Sequence, residues 1–389
     1  MVNLNTYDYG PHFKRCGTLK PTLMISADDK KFMRMVIRQA QRAIDRRPGD
    51  PLAGAVLVAG GLVVGKGFAG ENAVDAVTAA LDKAGPRAAG ATLYTNIEPY
   101  SVNVDESPGK RLFDSGVARI VVGDILDHKL SAKTSPSFLD RLRAIGFQVD
   151  TGACVQACRT LNEKYFKYGE TGLPFVTVKF AQSLDGRIAT VTGDSQWISS
   201  SGARRFAHQL RREHDAIMVG IGTVLADDPL LSVRLVRGRD PLRVIVDSSL
   251  RIPLAARVLA NGAASHTLIV ASETAEDGRE REIKNLGAEI LRLPTAPDHS
   301  GINIERLLET LGGRGIASIL VEGGRGIITS LLAARAVDRL VAVIAPKIIG
   351  KGIEAIDDLS ITRLDQALTF TSVETRKLGP DIIFDGRLK

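Results

Sequence analysis

From about Pro174 to its end the chain repeats one pattern. A short run of Val, Ile and Leu leads into a small polar or glycine-rich turn, and a segment with helical spacing often follows. RVIVDSS, HTLIVAS, AEILRLP, SILVEGG and DRLVAVIAP are such runs. Strands that are apolar throughout, rather than on alternate residues, belong in a parallel sheet with both faces covered. The intervening helices supply that cover. This half therefore reads as an α/β domain. An antiparallel-looking pair from about Phe370, ending in DIIFDG, closes it.

The first run departs from the pattern. In VTVKFAQSLDGRIATVTGDSQWI, Val176, Val178 and Phe180 alternate with Thr177, Lys179 and Ala181. The strand breaks at Asp185-Gly186 and the stretch ends at Trp197, the only Trp of the chain. A lysine inside an apolar strand is a costly placement unless it meets a ligand. Ser199 to Ser201 can then cap a helix running to about Arg212, with Phe206 and Leu210 on one face. AIMVGIGTVLADDP follows as an apolar strand emptying into a loop.

Three further strings can carry chemistry. Glu322-Gly323-Gly324-Arg325-Gly326 joins a strand to a helix and offers backbone N–H groups and a positive dipole end to a phosphate. It also suits a plain tight turn, and it lacks the dinucleotide fingerprint G-x-G-x-x-G. Asp227-Asp228 before Pro229 and Asp247-Ser248-Ser249 each stand at a strand's C-terminal end, where α/β sheets bind ligands. Turn chemistry explains both equally well in isolation.

The first half reads α-β-β-α-β-α-β. Asp28 and Asp29 open an amphipathic helix carrying Phe32, Met35, Val36, Ala40 and Ala43. Gly60-Gly61 marks a hairpin, and a second helix covers about Val74 to Ala84. This order predicts a helix-covered, mostly parallel sheet. Residues 1–27 read as a loose arm. A helix through about Val155 to Tyr168 precedes a Gly/Pro hinge, Gly169 to Pro174, taken as the domain boundary. The 389 residues suit two or three domains.

A net charge of +7 without a block of five basic residues suits phosphorylated small ligands at least as well as nucleic acid. Aromatic residues at 5% argue against a stacking platform for single strands. Cys16, Cys154 and Cys158 cannot build a disulfide framework. Cys154 and Cys158 would share a helix face in a reducing compartment. No leader peptide and no run long enough to span a bilayer is visible. The expectation is a cytoplasmic protein with no membrane or nucleic-acid partner.

Two resemblances follow from these strings. Gly90-Ala91-Thr92-Leu93-Tyr94 and Glu98-Pro99, within the first-half order, resemble the zinc-dependent cytidine-deaminase fold. They look most like the deaminase half of bacterial bifunctional riboflavin-biosynthesis proteins. There, one His and two Cys hold Zn²⁺ and a Glu shuttles protons. Counted from the anchors, the family's H-A-E falls on Asp75-Ala76-Val77, its two Cys on Tyr100 and Gly109, and its Asn on Asp50. Every ligand and the proton shuttle are replaced. The resemblance therefore implies, for residues 28–168, a deaminase-like α/β/α domain without zinc or activity.

The second half, 174–389, resembles the reductase half of the same proteins, a dihydrofolate-reductase-like fold. The matching strings are K-x-x-x-S-L-D-G-R at Lys179 to Arg187, G-D-S-Q-W-I at Gly193 to Ile198 and G-T-V-L-A-D-D-P at Gly222 to Pro229. V-E-G-G at Val321 to Gly324, A-P-K at Ala345 to Lys347 and G-P-D at Gly379 to Asp381 also match, in family order. The resemblance implies hydride transfer from NADPH to C1′ of 5-amino-6-(5-phosphoribosylamino)uracil, a small phosphorylated pyrimidine. Ala181, Trp197, Thr223, Asp227, Ser248, Gly323 and Gly324 would contact NADPH. Ser195, Arg211 (rather than Arg212), Leu231, Arg234 and Glu322 would contact substrate, with Arg211 and Arg234 on its phosphate. Lys179 and Asp227 would be catalytic partners handling the proton near C1′, since a desolvated lysine has a lowered pKa. No metal is expected, and a homo-oligomer, a dimer, is. The rival readings are a reductase of a related ribosylaminopyrimidine in another flavin-like pathway and a non-catalytic nucleotide-binding protein.

Overall fold

The computed structural model describes residues 25–45, 50–70, 75–99, 108–125, 138–144, 146–296 and 301–389. The chain forms two units. One comprises the N-terminal segment to Ile44 with residues 52–161, and the other residues 162–389 with 45–51. Most of the expected N-terminal arm, with Cys16, lies outside the described residues.

In the first unit the helix α1 (Ala27–Ala40) starts at a capping box. Ser26 Oγ accepts from the Asp29 amide, and the Asp29 carboxylate accepts from the Ser26 amide. Phe32, Met33, Val36 and Ala40 are its buried face, so Met33 takes the place expected for Met35. Strands β1 (Gly54–Ala59) and β2 (Leu62–Phe68) form the hairpin, with both Gly60 and Gly61 at positive φ. The helix α2 (Ala76–Ala84) lies directly on β2 because Gly65 and Gly67 lack side chains. A Cβ on either would stand 2.2 Å from a backbone oxygen of α2. Strands β3 (Thr92–Ile97), β4 (Arg119–Asp124) and β5 (Gln148–Thr151) complete a five-stranded sheet of order β2-β1-β3-β4-β5. β1 is antiparallel to both neighbours, and β3, β4 and β5 are parallel. The intervening helices are α3 (Pro108–Asp114) and α4 (Phe138–Ala144).

The expected helix from Val155 to Tyr168 is two helices, α5 (Val155–Leu161) and α6 (Glu163–Thr171). Cys154 precedes α5 with φ 58° rather than sitting on its face. The break at Asn162 coincides with the division between the units, so α6 packs with the second one.

The second unit is built on a nine-stranded sheet. Its strands are β6 (Phe175–Ser183), β8 (Ala216–Gly220), β9 (Leu242–Val246), β10 (Thr267–Ser272), β11 (Glu289–Leu293), β12 (Ser318–Glu322), β13 (Arg339–Ala345), β15 (Phe370–Leu378) and β16 (Asp381–Leu388). Their order is β11-β10-β9-β8-β12-β6-β13-β16-β15. The strands from β11 to β13 are parallel, and β16 and β15 add an antiparallel edge. Strands β7 (Arg187–Thr190) and β14 (Gly352–Glu354) form a separate two-stranded flap.

Both faces of the central strands are buried, as their unbroken apolar runs require. Val176, Val178 and Val321 pack with Leu307 and Leu311 of α10 (Ile304–Gly313) and with Ile328 and Leu331 of α11 (Arg325–Ala333). Ile217, Val219 and Ile245 pack against Ile221 and Val224 of α8 (Ile221–Asp227) and against Leu250, Ile252 and Val258. Phe206 and Leu210 of α7 (Ser201–Arg212) cover Leu320 and Val341. Each such side chain contributes about 1.5–3 kcal/mol on burial. The remaining helix, α9 (Glu280–Asn285), follows β10.

Candidate active site

The chain enters the large sheet at β6, in its middle. It then builds β8, β9, β10 and β11 outward on one side, returns to insert β12 between β8 and β6, and continues to β13 on the other side. The carboxyl ends of β8, β12 and β6 therefore flank the place where the winding reverses, which is where open α/β sheets bind ligands. A cleft of about 1730 Å³ opens there. A single small-molecule site usually occupies 300–1,000 Å³, so this one has room for two ligands.

At its floor, Lys179 on β6 stands in register opposite Glu322 on β12. From α7, Arg211 reaches the same carboxylate as a fork: Nε to Oε1 at 2.7 Å and Nη2 to Oε2 at 2.8 Å. Its Nη1 donates to the Ser232 carbonyl at 3.0 Å. Burial would raise the Glu322 pKa, but Arg211 and then Lys179 override it and hold the carboxyl down at about 2. Burial lowers Lys179, Glu322 pulls it back up, and Arg211 adds to the lowering. The floor thus holds a permanent carboxylate, a permanent guanidinium and a lysine whose proton is loosened.

The structure brings the residues singled out from sequence to this one cleft. Lys179, Ala181, Ser195, Trp197, Arg211, Thr223, Asp227, Leu231, Arg234, Ser248, Glu322, Gly323 and Gly324 all line it. Several stand differently from expectation. Asp227 forms no ion pair with Lys179; it ends α8, exposed at the cleft wall, where partial desolvation raises its carboxyl. Glu322 is the lysine's acidic neighbour because β12 is inserted beside β6. Thr223 to Asp227 lie on a helix, not in a loop, since Ile221 and Val224 bury against the sheet. Asp228 is the left-handed cap of that helix, and its carboxylate accepts the Arg257 amide at 2.8 Å. Arg211, expected on a phosphate, already has all three of its nitrogens engaged. The Leu231 side chain is buried in the core at a φ of 52°, which leaves its backbone to face the cleft. Trp197 keeps 59% of its surface exposed, with the Arg204 guanidinium 4.5 Å from its ring centre.

The glycine turn after β12 is tight for a reason. Gly323 and Gly324 have φ 80° and 84°, and a Cβ on Gly324 would stand 3.1 Å from Thr223 Oγ1. Backbone and α11 N-terminus are thereby open to the cleft beside Thr223.

Sequence reading missed His208. It is buried on α7 one turn before Arg211, a spacing that places both on one face. Its Nδ1 accepts the Arg234 amide at 3.1 Å, which leaves the ring proton on Nε2. Burial, then the charges of Arg211 and Arg234, lower it to about 4, so it is neutral at physiological pH.

In the first unit, Asp75 caps α2, its carboxylate accepting the amides of Val77 and Thr78 at 2.9 Å. Val77 is buried in the apolar core, and Gly109 falls in α3. Tyr100 lies outside the described residues. Among the described residues, no helix is long and apolar enough to cross a membrane.

Comparison with known proteins agrees with the overall fold. Residues 174–384 match the RibD C-terminal domain. The riboflavin biosynthesis protein RibD of Aquifex aeolicus is 36% identical over 366 residues, covering 92% of this chain and 98% of its own. That of Escherichia coli K12 is 34% identical over 373 residues, covering 91% and 98%. Among solved structures, Acinetobacter baumannii RibD superposes with a TM-score of 0.80 at 28% identity, covering 93% of this chain and 99% of that one. A diaminohydroxyphosphoribosylaminopyrimidine deaminase/5-amino-6-(5-phosphoribosylamino)uracil reductase from Thermotoga maritima does so with 0.75 at 28%, covering 92% and 98%. The chain belongs to the RibD family of riboflavin-biosynthesis proteins, and its second unit is the family's pyrimidine-reductase domain.

Proposed function

We propose that the cleft reduces the ribosyl group of 5-amino-6-(5-phosphoribosylamino)uracil to the ribitylamino form with NADPH. The observation that carries this reading is the Lys179–Glu322–Arg211 cluster at the reversal point of the sheet. NADPH, when bound, supplies the hydride. The residues present fit such a cofactor: the cleft is large enough for two ligands, and in the Gly323-Gly324 cradle a Cβ on Gly324 would crowd Thr223. Ala181, Thr223, Ser248 and the glycine turn would hold it, with Trp197 and Asp227 on the cleft wall.

Lys179 holds a loosened proton at Nζ, suited to delivery to a substrate oxygen or nitrogen as the sugar ring opens. Glu322 keeps enough of that proton in place, and Arg211 fixes Glu322. Arg234 forms no side-chain ion pair among the described residues and is the cation for the substrate phosphate, in place of the engaged Arg211. Ser195 and the Leu231 backbone would complete the substrate wall.

We propose further that the first unit carries neither zinc nor deaminase activity, because the ligand positions hold Asp75, Tyr100 and Gly109 and the shuttle position Val77. The full protein is read as a cytoplasmic homodimer. Strand β15, exposed over nearly its whole length at the sheet edge, supports the dimer. The test is NADPH oxidation by the full chain with the phosphoribosylamino-uracil and, separately, with its undeaminated diamino precursor. Oxidation with the uracil alone is expected, with no ammonia released from the precursor and no zinc by mass spectrometry. Absence of oxidation with either would sink the reductase reading.

A further inference from the structure

We infer, on the reading of the cleft as an active site, that Lys347 is a positioning residue. From the loop after β13 it holds the backbone of Trp197 and so fixes that ring at the cleft wall. Trp197 needs such a hold because its side chain keeps 59% of its surface exposed, so burial does not fix it. Between β7 and α7 the chain forms neither helix nor strand. Gly193 donates to the Thr190 carbonyl at 3.0 Å and Ile198 to the Ser195 carbonyl at 3.1 Å, turns that fold the segment on itself without tying it to the sheet. Arg204, a few residues on, lies 4.5 Å from the ring centre and donates to the Ser199 carbonyl at 3.1 Å.

Two ties reach the segment from far along the chain. Asp381, buried in the G-P-D string, accepts the Ser200 amide at 2.9 Å and anchors the segment where α7 begins. Lys347, the last residue of the A-P-K string, donates from Nζ to the Trp197 carbonyl at 2.6 Å, across 150 residues of chain. The base of that lysine is rigid. β6 and β13 run side by side as far as Ser183 and Ala345. Beyond them the Leu184 amide donates to the Lys347 carbonyl at 2.8 Å. The Asp185 carboxylate then accepts the amides of Ile349 at 3.1 Å and Gly350 at 2.6 Å, and the Ser183 hydroxyl at 2.6 Å. Lys347 is thus fixed to the end of β6, the strand that carries Lys179, and it sets Trp197 against that same strand. The lysine is exposed, with water as its alternative partner, so the bond adds placement rather than stability. Placement matters in such a cleft, since a shift of about 1 Å in a positioning group can cost roughly a hundredfold in rate.

Trp197 is the only Trp of the chain, so tryptophan emission reports this one ring. The test measures fluorescence anisotropy and acrylamide quenching of the full chain without ligand, then titrates NADP⁺, for the wild type, Lys347→Met, Lys347→Arg and Asp185→Ala. In Lys347→Met the ring is expected to be more mobile and more readily quenched. NADP⁺ should bind roughly three- to tenfold more weakly, the scale of one exposed hydrogen bond. Lys347→Arg keeps a donor and should restore both properties. Asp185→Ala leaves the lysine but frees its loop, and should loosen the ring to a smaller extent. Wild-type anisotropy and quenching in Lys347→Met overturn the hold on Trp197. A loosened ring with unchanged NADP⁺ affinity and unchanged kcat/KM overturns its functional role. A wild type that binds no NADP⁺ overturns the reading of the cleft, and with it the positioning role, even where the ring loosens.

Discussion

Arg211 and Glu322 meet as a two-point fork, with contacts of 2.7 and 2.8 Å, although 111 residues separate them in the chain. Both side chains are about nine-tenths buried. The pair is the hub of the candidate site: it neutralises Arg211, fixes Glu322 as a carboxylate and sets the charge seen by Lys179. Breaking it with Arg211→Met leaves a buried carboxylate facing only Lys179. The expected loss of stability is about 3–5 kcal/mol, read from urea unfolding.

Glu322→Gln tests the electrostatic link to Lys179. Glu322 raises the lysine pKa, whereas burial and Arg211 lower it. Removing the negative charge should lower it further. If protonated Lys179 is the acid, the alkaline limb of kcat/KM then moves to lower pH. A limb that stays in place would remove Lys179 from that role.

Lys179→Met should reduce kcat by roughly 10²–10⁴ while NADP⁺ affinity stays within experimental error. A variant with wild-type turnover would refute the proton-delivery assignment.

Arg234→Met should raise KM for the phosphorylated substrate roughly ten- to a hundredfold and leave NADP⁺ binding unaffected. An equal loss for both ligands would place Arg234 elsewhere.

The first unit offers a stability prediction. Asp29 is buried, and burial alone would raise its carboxyl. The Arg119 guanidinium, then Ser26 and Tyr94, override this and hold it at about 2. A folded pKa below the unfolded one means the contribution is complete above pH 4 and is lost as pH falls from about 4 to 2. It amounts to about 2 kcal/mol. Asp29→Asn should flatten unfolding free energy over that window; persistence of the full slope would show that another carboxylate is responsible.

The helix α6 should be required by the second unit. Lys167 pairs with Asp338 at 2.5 Å, Glu163 with Arg387 at 3.0 Å, Lys164 donates to the Glu213 carbonyl at 2.6 Å and Tyr168 to the Gly312 carbonyl at 2.9 Å. A fragment of residues 162–389 is expected to fold. One of residues 174–389 should be less stable by several kcal/mol in urea, because Asp338 and Arg387 lose these partners.

Local sequence determined the elements. Caps at Ser26 and Ser200, the Gly60-Gly61 hairpin, the apolar strands and the strand–glycine–helix turn after Glu322 each depend on residues a few positions apart, so their spacing is visible in the chain. It was silent where a choice depended on distant packing. The helix at Ile221–Asp227 forms because Ile221 and Val224 find a buried face, not because Gly-Thr-Val favours it. The break at Asn162 hands α6 to the second unit through ion pairs with residues far along the chain. Above all, insertion of β12 between β8 and β6 decides that Lys179 faces Glu322 rather than Asp227 and that Arg211 is occupied. Strand order is a property of the whole sheet, set by which apolar faces bury together. The chain carries the residues of the site in its local strings, and only the tertiary structure assigns their partners.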